Sequence, residues 1–195
     1  MTAFERPFPS AYLNVLAIPG SLRAASINAA FCRAASRLAP APLTISVFAG
    51  LGALPLFNAD LEADPPRAVR EFRDAVGDAS AVLIAGPEYA HGISGVLKNA
   101  LDWLVSFEGF IDKPVVLVNA SPRAHHAYEA LREVLKTMSA DILSDACMTL
   151  PLLGGRVTEE AIVSDAELAA RIREGLRSLA RELGARSRPN PSFPL

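Results

Sequence analysis

Two rhythms of apolar and polar positions alternate along this chain. Short apolar blocks near 12–18, 43–48, 81–86, 114–119 and 145–150, rich in Val, Ile and Leu, have the length and composition of strands buried on both faces. The stretches near 26–39, 66–78, 94–107, 124–139 and 165–183 carry a helical period; Ile27, Ala30, Phe31, Ala34, Ala35 and Leu38 make the apolar stripe of the first. Strict alternation of the two predicts a parallel sheet with helices on both sides. Asp64 ahead of Pro65 marks the start of the second helix, and Ser164-Asp165-Ala166-Glu167 reads as a capping box opening the last, which closes at Gly184. The third helix has two apolar stripes side by side, Val96, Ala100, Trp103 and Phe107 next to Leu97, Leu101 and Leu104. That face is wider than covering one sheet requires, which predicts a subunit contact or, in competition, burial under the C-terminal helix.

Composition narrows this to one domain. With 195 residues, 51% of them hydrophobic, the chain can bury one substantial core over 12–184, flanked by a flexible segment 1–11 and a Pro-rich tail 185–195. No apolar run is long enough to span a bilayer. Met1 to Ser10 holds a glutamate, an arginine and two prolines where a signal peptide has its hydrophobic block, so a cytoplasmic protein is expected. Cys32 and Cys147 lack metal or redox spacing and read as reduced core residues. The 19 basic and 21 acidic side chains give a net charge of −2, which argues against nucleic-acid and membrane partners. The balance is uneven. Between Glu5 and Asp60 there is no acidic residue, while Arg6, Arg23, Arg33 and Arg37 fall there, so a small anionic ligand is expected near the first loop.

Candidate chemistry sits in the loops after three of the strands, because an open sheet of this kind binds ligands beyond the carboxyl ends of its strands, where strand order reverses. After the first strand, Gly20-Ser21-Leu22-Arg23-Ala24-Ala25-Ser26-Ile27-Asn28 leads into a helix. A helix start carries unpaired N–H groups and a partial positive charge, so Arg23 is out of place unless a dianion lies between. Ser21, Ser26 and Asn28 add neutral hydrogen bonds, and the loop reads as a phosphate cradle. After the third strand, the glycines of Gly86 to Gly95 let the backbone approach a flat ring while Tyr89 packs near it. After the fourth, Asn119 to Tyr128 offers Ser121, Arg123 and the N–H groups of another helix start. His125 and His126 are adjacent, with no Asp, Glu or Cys cluster beside them, so no metal is expected. The connection 49–63 is long enough to be functional or mobile. The sequence has no Gly-x-Ser-x-Gly elbow, P-loop or Gly-x-Gly-x-x-Gly turn, which weakens hydrolase, P-loop and Rossmann readings.

The Gly-Ser-x-Arg-x-x-Ser-x-Asn loop, Pro87-Glu88-Tyr89 and Gly95-Val96-Leu97-Lys98-Asn99-Ala100-Leu101-Asp102-Trp103 together resemble the NADPH-dependent FMN reductase family over residues 12–150. The resemblance implies an α/β, flavodoxin-like three-layer sandwich with a five-stranded parallel sheet in the order 2-1-3-4-5, and an FMN site. In that site Ser21, Arg23, Ser26 and Asn28 hold the phosphate with Ile27 among them. Pro87, Glu88 and Tyr89 line the isoalloxazine, with Ala90 and His91 following. Ser121 faces the ring edge, and Arg123 meets either the flavin or a cosubstrate phosphate. The implied activity passes hydride from NADPH or NADH through flavin N5 to a quinone, free flavin or similar small-molecule acceptor by a ping-pong mechanism, with no catalytic side chain because the cofactor carries the chemistry. A homodimer or homotetramer is also implied. Two positions depart from the family: Ala90 stands where Asn is usual, and Ser121 to His126 contains no glycine. A non-enzymatic electron carrier or a regulatory module on the same fold are the competing readings, and the near-neutral charge gives the carrier little docking surface.

Overall fold

The computed structural model describes residues 12–121, 125–152 and 157–186. The chain runs β1 (Leu13–Pro19), α1 (Ile27–Leu38), β2 (Leu43–Val47), α2 (Arg67–Asp78), β3 (Ala81–Ala85), β4 (Glu88–Tyr89), β5 (Gly92–Ile93), α3 (Gly95–Asp102), β6 (Pro114–Asn119), α4 (His125–Thr137), β7 (Asp141–Ile142), β8 (Met148–Thr149), α5 (Glu159–Ser164) and α6 (Ala166–Arg186). Its strands are apolar throughout because alternate side chains enter two separate cores. Val15 and Ala17 of β1, Leu83 of β3 and Val116 of β6 pack with Phe31, Ile172 and Leu176 beneath α1, α5 and α6. Leu16, Ile18, Ile84 and Leu117 pack with Phe72, Leu101 and Leu135 beneath α2, α3 and α4. Cys32 is fully buried in the first core, and burial pushes its thiol up to about 12. Cys147 is half-buried, and both cysteines are free.

The main sheet is parallel in the order β2-β1-β3-β6-β7, with β8 also beside β6, so strand order reverses between β1 and β3. Five strand positions are occupied as expected, but the fifth is not one strand over 145–150. Asp141 and Ile142 pair with Pro114 and Val115, and Met148 and Thr149 pair with Val118 and Asn119. Between them a 3-10 turn, Ser144–Ala146, tucks Ala146 into the core, and the Leu117 N–H donates to Cys147 Sγ at 3.3 Å.

Helix ends also differ from expectation. α2 starts at Arg67 with no side-chain cap; the Pro66 carbonyl accepts from Val69 and Arg70, and Asp64 pairs with Arg70. Its far end is closed by Lys113, whose Nζ donates to the carbonyls of Gly77 (3.0 Å) and Ala79 (2.8 Å). α6 is capped by Asp165, which accepts from the Leu168 N–H at 2.9 Å, because Ser164 already belongs to α5. It runs past Gly184 to Arg186.

Most of both α3 stripes is buried within this chain, and not under the C-terminal helix, while Val96 and Phe107 are half-buried. Leu97, Ala100, Leu101, Trp103 and Leu104 are at most 1% exposed. The covering comes from α2 and from the connection after β2, which is pinned in place. Asn99 donates Nδ2 to the Pro55 carbonyl (2.9 Å) and accepts from the Phe57 N–H (2.8 Å). Trp103 Nε1 reaches the same carbonyl at 2.8 Å, and Phe57 lies edge-on to its ring. At the other end Arg73 holds Glu62 at 2.8 Å and the Trp103 carbonyl at 2.9 Å; its bond and that of Ser106 keep the Glu62 carboxyl below its ordinary range. Among the described residues no helix is long and apolar enough to cross a membrane.

Candidate functional site

The loop after β1 is built against the end of β3. The Gly20 N–H donates to the Ala85 carbonyl (2.8 Å), and the buried Ser94 hydroxyl donates to the Gly20 carbonyl (2.6 Å). A Cβ on Gly20 would lie 2.9 Å from Leu97 Cδ2 and 3.2 Å from Gly86 Cα, so this approach requires glycine. Ser21 Oγ accepts from the Arg23 N–H (3.3 Å), and the Ser26 N–H donates to the Arg23 carbonyl (3.0 Å), turning the chain into α1. Ser26 is buried and caps α1 by accepting from the Ala29 N–H at 3.2 Å; its own hydroxyl hydrogen is left to donate. Ile27 packs on the core.

Two groups of this loop have no partner among the described residues. Arg23 is exposed, and no carboxylate among the described residues pairs with it. Asn28 is 6% exposed, and its Oδ1 has no hydrogen-bond partner, a state that folded proteins rarely tolerate without one. A ligand hydroxyl would satisfy that oxygen, and the amide turned by half a rotation would instead offer N–H to a phosphate. Outside the loop opens a cleft of about 400 Å³ lined by Arg23, Ser26, Ile27, Arg33, Thr158 and Glu160. Its neighbour Glu159 is engaged by both Arg33 (3.0 Å) and Arg37 (3.3 Å), so it does not cancel the charge of Arg23.

The second loop is a small hairpin in which Glu88 pairs with Ile93 and Tyr89 with Gly92. Its two central residues, Ala90 (φ 47°) and His91 (φ 61°), are both left-handed. Such a turn prefers Asn-Gly, and a side chain there costs roughly 1–2 kcal/mol. The family's usual Asn at position 90 suits that backbone, so Ala90 removes conformational ease as well as a hydrogen-bonding group. Pro87 is half-buried, and Tyr89 is 57% exposed. The Glu88 carboxylate accepts from the Ala127 N–H at 2.9 Å, in the first turn of α4. That bond holds the carboxyl below its ordinary range, with His126, His91 and His125 adding to the effect. The side chain is thereby directed to the helix start.

The structure brings all three histidines together. The His91 and His126 rings stack at 4.2 Å, and those of His125 and His126 lie 4.0 Å apart. No group that could hold a metal occurs among the described residues. In the third loop, Ser121 is half-buried and its N–H donates to Asn119 Oδ1 at 3.0 Å, whereas Arg123 lies outside the described residues. Between hairpin and α4 there is a void of only about 20 Å³, bordered by Gly86, Pro87, Asn119 and Tyr128. It has room for a water, so an aromatic ring would have to lie outside it, over the loop backbones. Ser94, Asn99 and Trp103 are the positioning residues that sequence reasoning did not assign. The last two stand in the motif already noted, as donors without a stated task.

Comparison with known proteins agrees with this geometry. The family model for NADPH-dependent FMN reductase matches residues 13–151. A quinone reductase of Pseudomonas putida is 37% identical over 148 residues, covering 73% of this chain and 78% of that protein. An NAD(P)H-dependent FMN reductase of Pseudomonas aeruginosa is 40% identical over 112 residues, 56% of this chain and 60% of the relative. Among solved structures, the flavoenzyme NAD(P)H:(acceptor) oxidoreductase FerB of Paracoccus denitrificans superposes with a TM-score of 0.70 at 26% identity, covering 86% of this chain and 97% of that one. On fold, loop and matched span alike, the chain belongs to the NADPH-dependent FMN reductase family.

Proposed function

We propose that this protein is an FMN-containing oxidoreductase that uses NAD(P)H to reduce a quinone, free flavin or similar acceptor. The observation that carries this is the partnerless Oδ1 of buried Asn28 beside unpaired Arg23, at the point where strand order reverses. Ser21, Arg23, Ser26 and Asn28 would hold the phosphate end of FMN. Tyr89 and the backbones of 86–94 and 119–121 would flank its ring. Bound there, FMN supplies a two-electron centre at N5, by which NAD(P)H, a proton and a quinone become NAD(P)+ and hydroquinone. The protein's part is to bind, orient and offer N–H groups to the reduced ring. Exposed Leu56, Leu61 and Val105, on the pinned connection and after α3, support a homodimer.

Acid extraction of the purified protein followed by chromatography should release FMN; FAD as the main flavin, or no binding after reconstitution, would sink the assignment. NADPH and a quinone reacting in turn at the same site should give parallel double-reciprocal lines, and intersecting lines would point to a ternary complex. Light scattering should report a dimer or larger assembly.

A further inference from the structure

We propose that His126 is a positioning residue for the ring end of the flavin site, holding the hairpin at 88–93, and with it Tyr89, by stacking on His91; this rests on the reductase reading above. The hairpin is too short to hold itself. It has two pairs, Glu88 with Ile93 and Tyr89 with Gly92, joined by a turn whose two residues, Ala90 and His91, are both left-handed. An isolated two-stranded hairpin is marginal in water, and this turn adds strain to it, so its support has to come from outside.

Two contacts supply that support, both from the first turn of α4 and from adjacent positions. At the base of the hairpin the Glu88 carboxylate accepts from the Ala127 N–H at 2.9 Å. At its tip the His91 ring lies on that of His126, 4.2 Å away and 29° from parallel. Tyr89 stands between these anchors in the chain. It is 57% exposed and makes no ring contact of its own among the described residues, so its position is that of the hairpin. His126 is the central ring of the cluster, because the His125 ring also packs on it, at 4.0 Å. The ionised Glu88 carboxylate faces all three imidazoles and offsets the charge they carry, so what the row contributes is contact between ring faces. The flavin site then has two separable ends: the loop of Arg23 acts on the phosphate, and His126 acts through the hairpin on the ring. Riboflavin, which has the ring without the phosphate, tells them apart.

The flavin-free protein, wild type, His126→Ala, His126→Phe and Arg23→Ala, is titrated with FMN and with riboflavin, following flavin fluorescence. His126→Ala is expected to weaken both flavins by the same factor, about fivefold, which is what one aromatic pair is worth, and His126→Phe to restore both. Arg23→Ala should weaken FMN alone. Hydrogen exchange in the absence of flavin is the second readout: in His126→Ala the amides of 88–93 should exchange faster, with those of β1 and β3 unchanged. Unchanged riboflavin affinity in His126→Ala overturns the proposal. So does a loss confined to FMN, a loss that phenylalanine does not restore, or a loss without faster exchange in the hairpin. His91→Ala removes the same stack should His126→Ala not fold. If the wild type binds neither flavin, the reductase reading has failed; in that case, or if it binds FMN alone, hydrogen exchange decides, and an unmoved hairpin in His126→Ala overturns the stack as its support.

Discussion

Residues 20–28 and the hairpin at 88–93 stand at the ends of neighbouring strands, β1 and β3, and are stabilised in different ways. The side-chain bonds of the first loop are short-range: Ser21 reaches Arg23, and Ser26 reaches Ala29. Those bonds leave the Arg23 guanidinium and Asn28 Oδ1 unused. In the hairpin, Glu88 reaches 39 positions along the chain to Ala127, and His91 stacks on His126. The hairpin's polar groups are used to hold a strained turn against α4. A loop anchored across the fold only through its Gly20 backbone, with its own side chains bonded locally, can keep polar groups free for a ligand, whereas a loop whose side chains make the tertiary contacts spends them on its own position.

The largest effect that would test this contrast is Arg23→Ala. FMN affinity should fall by about 1.5–3 kcal/mol, the worth of a charge-assisted hydrogen bond, with the melting temperature of the ligand-free protein unmoved. Unchanged affinity by titration would place the cradle elsewhere. Gly20→Ala sharpens the contrast from the other side. Its Cβ meets Leu97 and Gly86, so urea unfolding should show a loss of about 1–3 kcal/mol together with weaker FMN binding. In the hairpin, Ala90→Gly should stabilise the protein by about 1 kcal/mol by relieving a positive φ; no gain in the denaturation midpoint would mean the turn holds no strain.

The smallest effect is a pH dependence. The Ala127 N–H, aided by the histidines, holds the Glu88 carboxyl below its ordinary range. A lowered carboxyl contributes stability above the unfolded-state value, and that contribution disappears as pH falls through the folded one. The melting-temperature advantage of wild type over Glu88→Gln should be present at neutral pH and shrink in acid. A difference that stays constant into strong acid would show that the ionised carboxylate does not hold hairpin to helix.

The two α3 stripes show why part of the site could not be read from sequence. Periodicity correctly identified the apolar positions of Leu97, Leu101 and Trp103 but could not say what covers them. The partner is the connection at 54–62, fixed by Asn99 and Arg73 from helices on either side. Glu88 is similar: its place in a family motif suggested the ring, while its carboxylate caps a helix whose start lies far along the chain. The split of the fifth strand had the same origin, since the apolar residues between β7 and β8 satisfy a core position as well in a turn as in a strand.

By itself, the sequence determined the alternating strands and helices, their apolar positions and the Gly-Ser-x-Arg-x-x-Ser-x-Asn motif, because apolar period, caps and turn residues act over a few neighbouring positions. Only the tertiary structure decided the pinned connection, the destination of Glu88 and the meeting of His91 with His125 and His126. Those depend on which distant surfaces a two-sided sheet brings together, and nothing in the local spacing of the residues carries that information.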